Sequence, residues 1–335
     1  MILAAALALA LQVGPDALSE QAAAAAQASR GEEAERLWAA ALKADPGHFP
    51  SLFNLAFYLH RAGRADQAAT FLERAVKVNP RSYQARFLQG LNYQKLERRE
   101  DSIRAWRTAL ALQPGNLKLM QVLSVEYSKG RYFAEAAVIA EQALKLAPAE
   151  HNLYFLAIKA YQDAGDLDSA ARLAEEAVRR FPDSARARFE HAFHLQKKGA
   201  VEEAIGHLRK AMELDPRYEE PFFFYGDLLV RQGQFEEARA PLEKALAIRP
   251  EYSPARVALA RVRMNTGNLA EAVAELQEAA RLDPRNAQPW VMLAQVYFRM
   301  GEEEKAAAAK EMSLRLRREN PTVLEAVQAR PFPAR

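Results

Sequence analysis

The chain has 335 residues, of which 50% are apolar and 27% charged, with a net charge of +3 from 46 basic and 43 acidic side chains. That mixture supports a sizeable core and interspersed surface charge, which disfavours nucleic acid as a partner. With no cysteine, disulfides, thiolate metal sites, catalytic thiols and lipoprotein acylation are excluded.

Residues 1–14, MILAAALALALQVG, differ from the rest of the chain. Ile2 to Leu11 is an uninterrupted apolar run, too short to span a bilayer as a helix, so no transmembrane span is expected. The run matches the apolar core of a secretory signal, with Ala8-Leu9-Ala10 as a small-x-small cleavage candidate. No Lys or Arg precedes Arg30, so the usual basic start is missing. Two readings stay open: export to a periplasmic or extracellular site, or a cytoplasmic chain whose apolar helix caps the first repeated unit.

From there the chain keeps a period. Prolines stand at Pro46, Pro80, Pro114, Pro148, Pro182, Pro216, Pro250 and Pro284, each 34 residues after the last. A fixed interval of this length marks a stack of one repeated supersecondary unit. In residues 49–82, Leu52, Leu55, Ala56 and Leu59 fall on one helical face. Gly63 ends that helix, and a second helix with Ala68, Leu72 and Ala75 on its inner face runs to Pro80. The turn glycine recurs at Gly165, Gly199, Gly233, Gly267 and Gly301. Glu97 takes its place in the third unit, Gly130 comes one residue early in the fourth and Gly31 two late in the first, so those turns are expected to be distorted. Small residues recur in the second helices, from Ala68 to Ala306 and from Ala41 to Ala279, where alanine allows close helix approach.

At these residues the chain resembles the tetratricopeptide-repeat family. Phe222, Tyr225-Gly226, Ala238, Leu242, Ala245 and Pro250 carry the family pattern nearly complete, and Trp290, Leu293-Ala294, Tyr297, Gly301 and Ala306 repeat it. The resemblance implies an all-α fold, a right-handed superhelical solenoid of antiparallel helix pairs. The repeats fall at 15–48, 49–82, 83–116, 117–150, 151–184, 185–218, 219–252, 253–286 and 287–320. The ninth closes with Lys310 and Ser313 where others place bulky and small apolar residues, as a terminal cap needs. Residues 321–335, with Pro331 and Pro333, read as a mobile tail.

Chemistry is sparse. His191 and His194 are three apart on a first helix, without a third ligand, and read as packed rather than metal-binding. Metalloprotease, hydrolase, dinucleotide and phosphate-loop motifs are missing. No enzyme activity and no cofactor are expected.

The informative feature is a second stripe. The fifth position of repeats two to nine reads Phe53, Phe87, Gln121, Phe155, Phe189, Phe223, Val257 and Val291. One turn on, the ninth reads Phe57, Leu91, Val125, Lys159, Phe193, Asp227, Arg261 and Gln295. The resemblance implies that these positions line a concave surface. Phe53, Phe57, Phe87, Leu91, Phe155, Phe189, Phe193 and Phe223 would then form an aromatic groove for a peptide or helix of a protein partner. The other reading has neighbouring first helices bury the row as packing. The family's carboxylate clamp is not evident, because the fifth position is Phe or Val except at Gln121. The leading function is a non-catalytic interaction scaffold. The alternatives are a structural subunit of an envelope or secretion assembly and an accessory subunit presenting substrates to an enzyme.

Overall fold

The computed structural model describes residues 14–319; the apolar leader before them and the proline-containing tail after them lie outside the described residues. Among the described residues all regular structure is helical, and the chain divides after Pro148 into two compact units.

The first unit holds four helix pairs: α1 (Pro15–Gln27) with α2 (Gly31–Ala44), α3 (Phe49–Arg61) with α4 (Ala65–Val78), α5 (Tyr83–Lys95) with α6 (Arg99–Leu112), and α7 (Leu117–Lys129) with α8 (Phe133–Leu146). The second holds five: α9 (His151–Ala164) with α10 (Leu167–Arg180), α11 (Ala185–Lys197) with α12 (Val201–Leu214), α13 (Glu219–Arg231) with α14 (Phe235–Ile248), α15 (Ser253–Asn265) with α16 (Leu269–Leu282), and α17 (Gln288–Arg299) with α18 (Glu303–Glu319).

Local chemistry sets the helix ends. Ser82, Asn116 and Ser184 cap first helices by accepting from the backbone N–H groups of Ala85, Leu119 and Ala187 at 3.0–3.2 Å, each three residues beyond its cap. Second helices end two residues before each spaced proline. Asp45, Asn79 and Asp215, directly before their prolines, adopt extended ψ values of 84–100°, the geometry a following proline ring favours.

The turn within each pair departs from expectation. Its left-handed residue falls on the 34-residue grid in all nine described pairs, with φ between 57° and 86°, at Ser29, Glu97 and Arg131 as well as at six glycines. The following N–H reaches back five residues each time, as in Arg64 to Leu59, Arg98 to Tyr93 and Tyr132 to Tyr127, all at 2.9 Å. This is the hydrogen-bonding of a Schellman ending. The three turns without an on-grid glycine are therefore not distorted: the hydrogen bonds and packing hold a side-chain-bearing residue in a conformation it disfavours. Off-grid Gly130 has a separate reason, since a Cβ there would stand 2.6 Å from the Tyr132 ring.

The core repeats with the turns. Ala68, Ala136, Ala170, Ala204, Ala238 and Ala272 are fully buried, as are Ala41, Ala75, Ala109, Ala143, Ala177, Ala211, Ala245 and Ala279. Trp106 fits inside the third pair because Gly90 leaves room for its indole, whose N–H donates to the Phe87 carbonyl at 3.1 Å. Adjacent first helices are also tied side to side. His60 meets Asn92 at 3.1 Å, Gln94 meets Glu126 at 2.8 Å and Gln162 meets His194 at 3.1 Å, each pair 32 residues apart. At the last pair α18 runs through the place of a ninth proline, and Ser313 is buried with its hydroxyl donating to the Lys310 carbonyl.

Candidate functional site

Each unit has a cleft on its first helices that is lined by phenylalanines of the expected stripe. In the first unit, Phe49, Phe53 and Phe57 are spaced four apart along α3 and so share a face. Their rings stack at centroid separations of 6.1 and 6.5 Å, nearly parallel. Phe57 ends the row 45% exposed, with the Arg61 guanidinium 5.9 Å above its ring. Beside it lies a cleft of about 650 Å³, walled by Ala23 and Ala26 of α1, Trp38 of α2, and Asn54, Phe57 and Arg61 of α3. On α5, Tyr83 stacks on Phe87 at 5.8 Å, and Phe87 and Leu91 are half-buried, as is Phe53.

The second unit treats its aromatic residues differently. Phe155 is 2% exposed, edge-on to His151 at 4.6 Å and covered by the Arg186 guanidinium at 4.2 Å. Phe189 is 8% exposed, edge-on to Tyr218 at 5.5 Å and to Phe224 at 5.0 Å. Both rings, expected in an open groove, are packing residues of the free chain. Groups from the next first helix cover them: Arg186 of α11 over Phe155, and Phe224 of α13 with the preceding Tyr218 against Phe189.

Phe193 and Phe223 remain half-buried at the surface. They line a second cleft of about 550 Å³ with Lys197, Val201, Asp227 and Arg231. The Lys197 ammonium sits 5.5 Å over the Phe193 ring, Phe223 meets Tyr252 at 5.0 Å, and Arg231 is paired with Asp227 at 2.8 Å. Asp227 and Arg231 thus form a polar rim of this cleft. Burial pushes the phenols of Tyr218 and Tyr252 up, Tyr252 to about 12, with Glu220 adding to both shifts. These hydroxyls are neutral donors at ordinary pH.

Sequence reasoning missed Phe224, which joins Phe189 to Phe193 through contacts at 5.0 and 5.8 Å. It also missed Phe298, 72% exposed beside a cleft of about 580 Å³ with Ala294, Ala306 and Lys310. The available signal at Phe298 was an aromatic at a first-helix position that other repeats fill with polar His60, Gln94, Ser128, Gln162 and Gln196 or with Val230 and Met264, which are buried. His191 and His194 do not converge: His191 meets the His207 ring of α12 at 4.7 Å, while His194 meets Gln162 of α9. Among the described residues, no group of three or more His, Asp or Glu side chains could hold a metal ion. No described helix is long and apolar enough to cross a membrane.

Two models described as tetratricopeptide repeat match residues 25–90 and 151–194. The chain is a tetratricopeptide-repeat protein. A third model, the C-terminal domain of cilia and flagella-associated protein 70, matches residues 184–333. Solved structures similar to this tetratricopeptide-repeat chain include MamA 41-end from Desulfovibrio magneticus RS-1, at 20% identity and a TM-score of 0.45, covering 51% of this chain and 97% of that one. An RS-1 MamA double mutant gives 20% identity and 0.45 over 51% and 96% of the two chains. Another MamA structure gives 18% and 0.43 over 51% and 93%. No curated protein matches the chain. Repeats of this family serve in general as scaffolds for protein interaction, and the chain is a protein-interaction scaffold in that general sense.

Proposed function

We propose that the scaffold holds a segment of a partner protein, helical or extended, against its first helices, with apolar side chains seated in the cleft of one unit or the other. The observation that supports this most is the Phe49–Phe53–Phe57 stack, which delivers a ring 45% exposed to the wall of a cleft of about 650 Å³. An apolar patch held open in this way marks a surface that is covered in use, and the volume suits one or more anchoring side chains. Arg61 and Lys197 stand over the two cleft phenylalanines. Acidic residues flanking the apolar anchors would meet these cations.

Displayed peptide libraries test this reading. Peptides selected on the intact chain should be rich in aromatic or branched apolar residues with acidic neighbours. They should lose about tenfold or more in affinity for Phe57→Ser or Phe193→Ser, in line with removal of an aromatic hot spot. Equal binding to the intact chain and both variants would refute it.

A further inference from the structure

Three of the six histidines of the chain crowd into one helix pair of the second unit: His191 and His194 on α11 and His207 on α12. The rings of His191 and His207 meet edge-on at 4.7 Å. The Nδ1 atom of each is buried and without a hydrogen-bond partner. A neutral imidazole tolerates this by leaving Nδ1 as an unprotonated acceptor. A charged imidazole must carry a proton on both nitrogens, and here that proton would find no acceptor and no access to solvent. Charging both rings would also set two cations in contact.

His194, 2% exposed, has a different constraint. The Gln162 amide nitrogen stands 3.1 Å from His194 Nε2 and donates to Glu190 at 3.3 Å. The ring nitrogen must therefore accept, and a protonated ring would oppose donor to donor. In the first unit the later partner of the same lateral bridge is Asn92, facing half-buried His60, or Glu126, facing Gln94; at His194 that partner is itself a buried imidazole.

We propose that the α11–α12 pair is an acid-triggered release element, which opens on mild acidification and dismantles the aromatic cleft built on the same helix. The cleft residue Phe193 adjoins His194, their rings edge-on at 5.3 Å, and Phe189 lies two residues before His191. Repacking α11 displaces both rings. The surroundings do not compensate the added charge. His191 faces His207, Glu175 of α10, Glu203 of α12 and Lys198; His207 faces Arg188 and Glu203; His194 faces His191 and Lys198, with Gln162 and Glu190 at its edge. Burial, reinforced by neighbouring positive charge, holds all three below the ordinary histidine range, with His194 at about 4. Free histidine charges at ~6.5, so folded stability is full above that value and is lost as pH falls toward the folded pKa values.

Release of a partner rests on the proposed cleft reading; the opening of α11–α12 does not. Hydrogen exchange of the intact chain, corrected for intrinsic rates, tests the opening directly. Between about pH 7 and 5.5, protection over residues 185–214 should fall roughly tenfold in the natural chain, the factor for one imidazole that charges at ~6.5 in the open form and stays neutral through this window in the folded one. His191→Gln, His194→Gln and His207→Gln together, first shown to melt as a folded chain at neutral pH, should abolish most of that fall. Unchanged protection in the natural chain, or the same fall in the variant, would overturn the trigger. Acid opening in a chain whose selected peptides ignore Phe193→Ser would sink the cleft reading and leave the trigger standing.

Discussion

Phe189→Ala removes a ring that is 8% exposed and packed among Ala192, Ile205, Leu208 and Leu228, with aromatic edges from Tyr218 and Phe224. Truncating a buried phenylalanine costs about 3–5 kcal/mol, through lost transfer energy and the cavity left behind. Two edge-to-face contacts at ~0.5–1.5 kcal/mol each form part of that loss. At about 2–4 °C per kcal/mol for an array of this size, Tm should fall by roughly 10 °C. Phe57→Ala is the internal control. Its ring is 45% exposed and stacks on Phe53 alone, at 6.5 Å, so about 1 kcal/mol is expected. Far-UV circular dichroism follows the melting of the helical array. Equal melting of Phe189→Ala and the natural chain, or an equally large loss in Phe57→Ala, would refute the division of the stripe into packing and open positions.

Relief of the left-handed backbone at Glu97, φ 57°, should make Glu97→Gly more stable by about 1 kcal/mol, seen as a higher urea midpoint. Gly90→Ala should lose about 1–3 kcal/mol by driving a methyl group into the Trp106 indole, with a blue or red shift in tryptophan emission as the ring moves. Glu275→Gln should lower the urea midpoint by the equivalent of about 1.5–3 kcal/mol. Glu275 serves Arg256 at 2.7 Å and Arg263 at 3.1 Å, with all three side chains at most 20% exposed. An unchanged midpoint there would show that solvent replaces the pairs.

The pairs were legible in the sequence because their chemistry is local. A proline forces the residue before it out of the helix, and each spaced proline stops a second helix. The alanine positions were legible for the same reason, since only a small side chain lets two helices close. The turn at Glu97 was not, because its left-handed geometry is imposed by the Schellman hydrogen bonds around it rather than by the residue itself. Phe155 and Phe189 were illegible as core for a non-local reason. They occupy the same repeat position as half-buried Phe53 and Phe87, and their exposure is set by the groups that neighbouring helices bring over them. One repeat read alone contains no trace of Arg186 or Phe224 arriving from the next.

The claim that partners are held on the first-helix face is tested most directly by site-specific photo-crosslinking in the native host. A benzophenone amino acid replaces Phe57 or Phe193, with Val138 as the control, a second-helix residue 55% exposed on α8. The account predicts cross-links to partner protein from positions 57 and 193 and none from 138. Cross-links from 138 alone, or from none of the three, would contradict it.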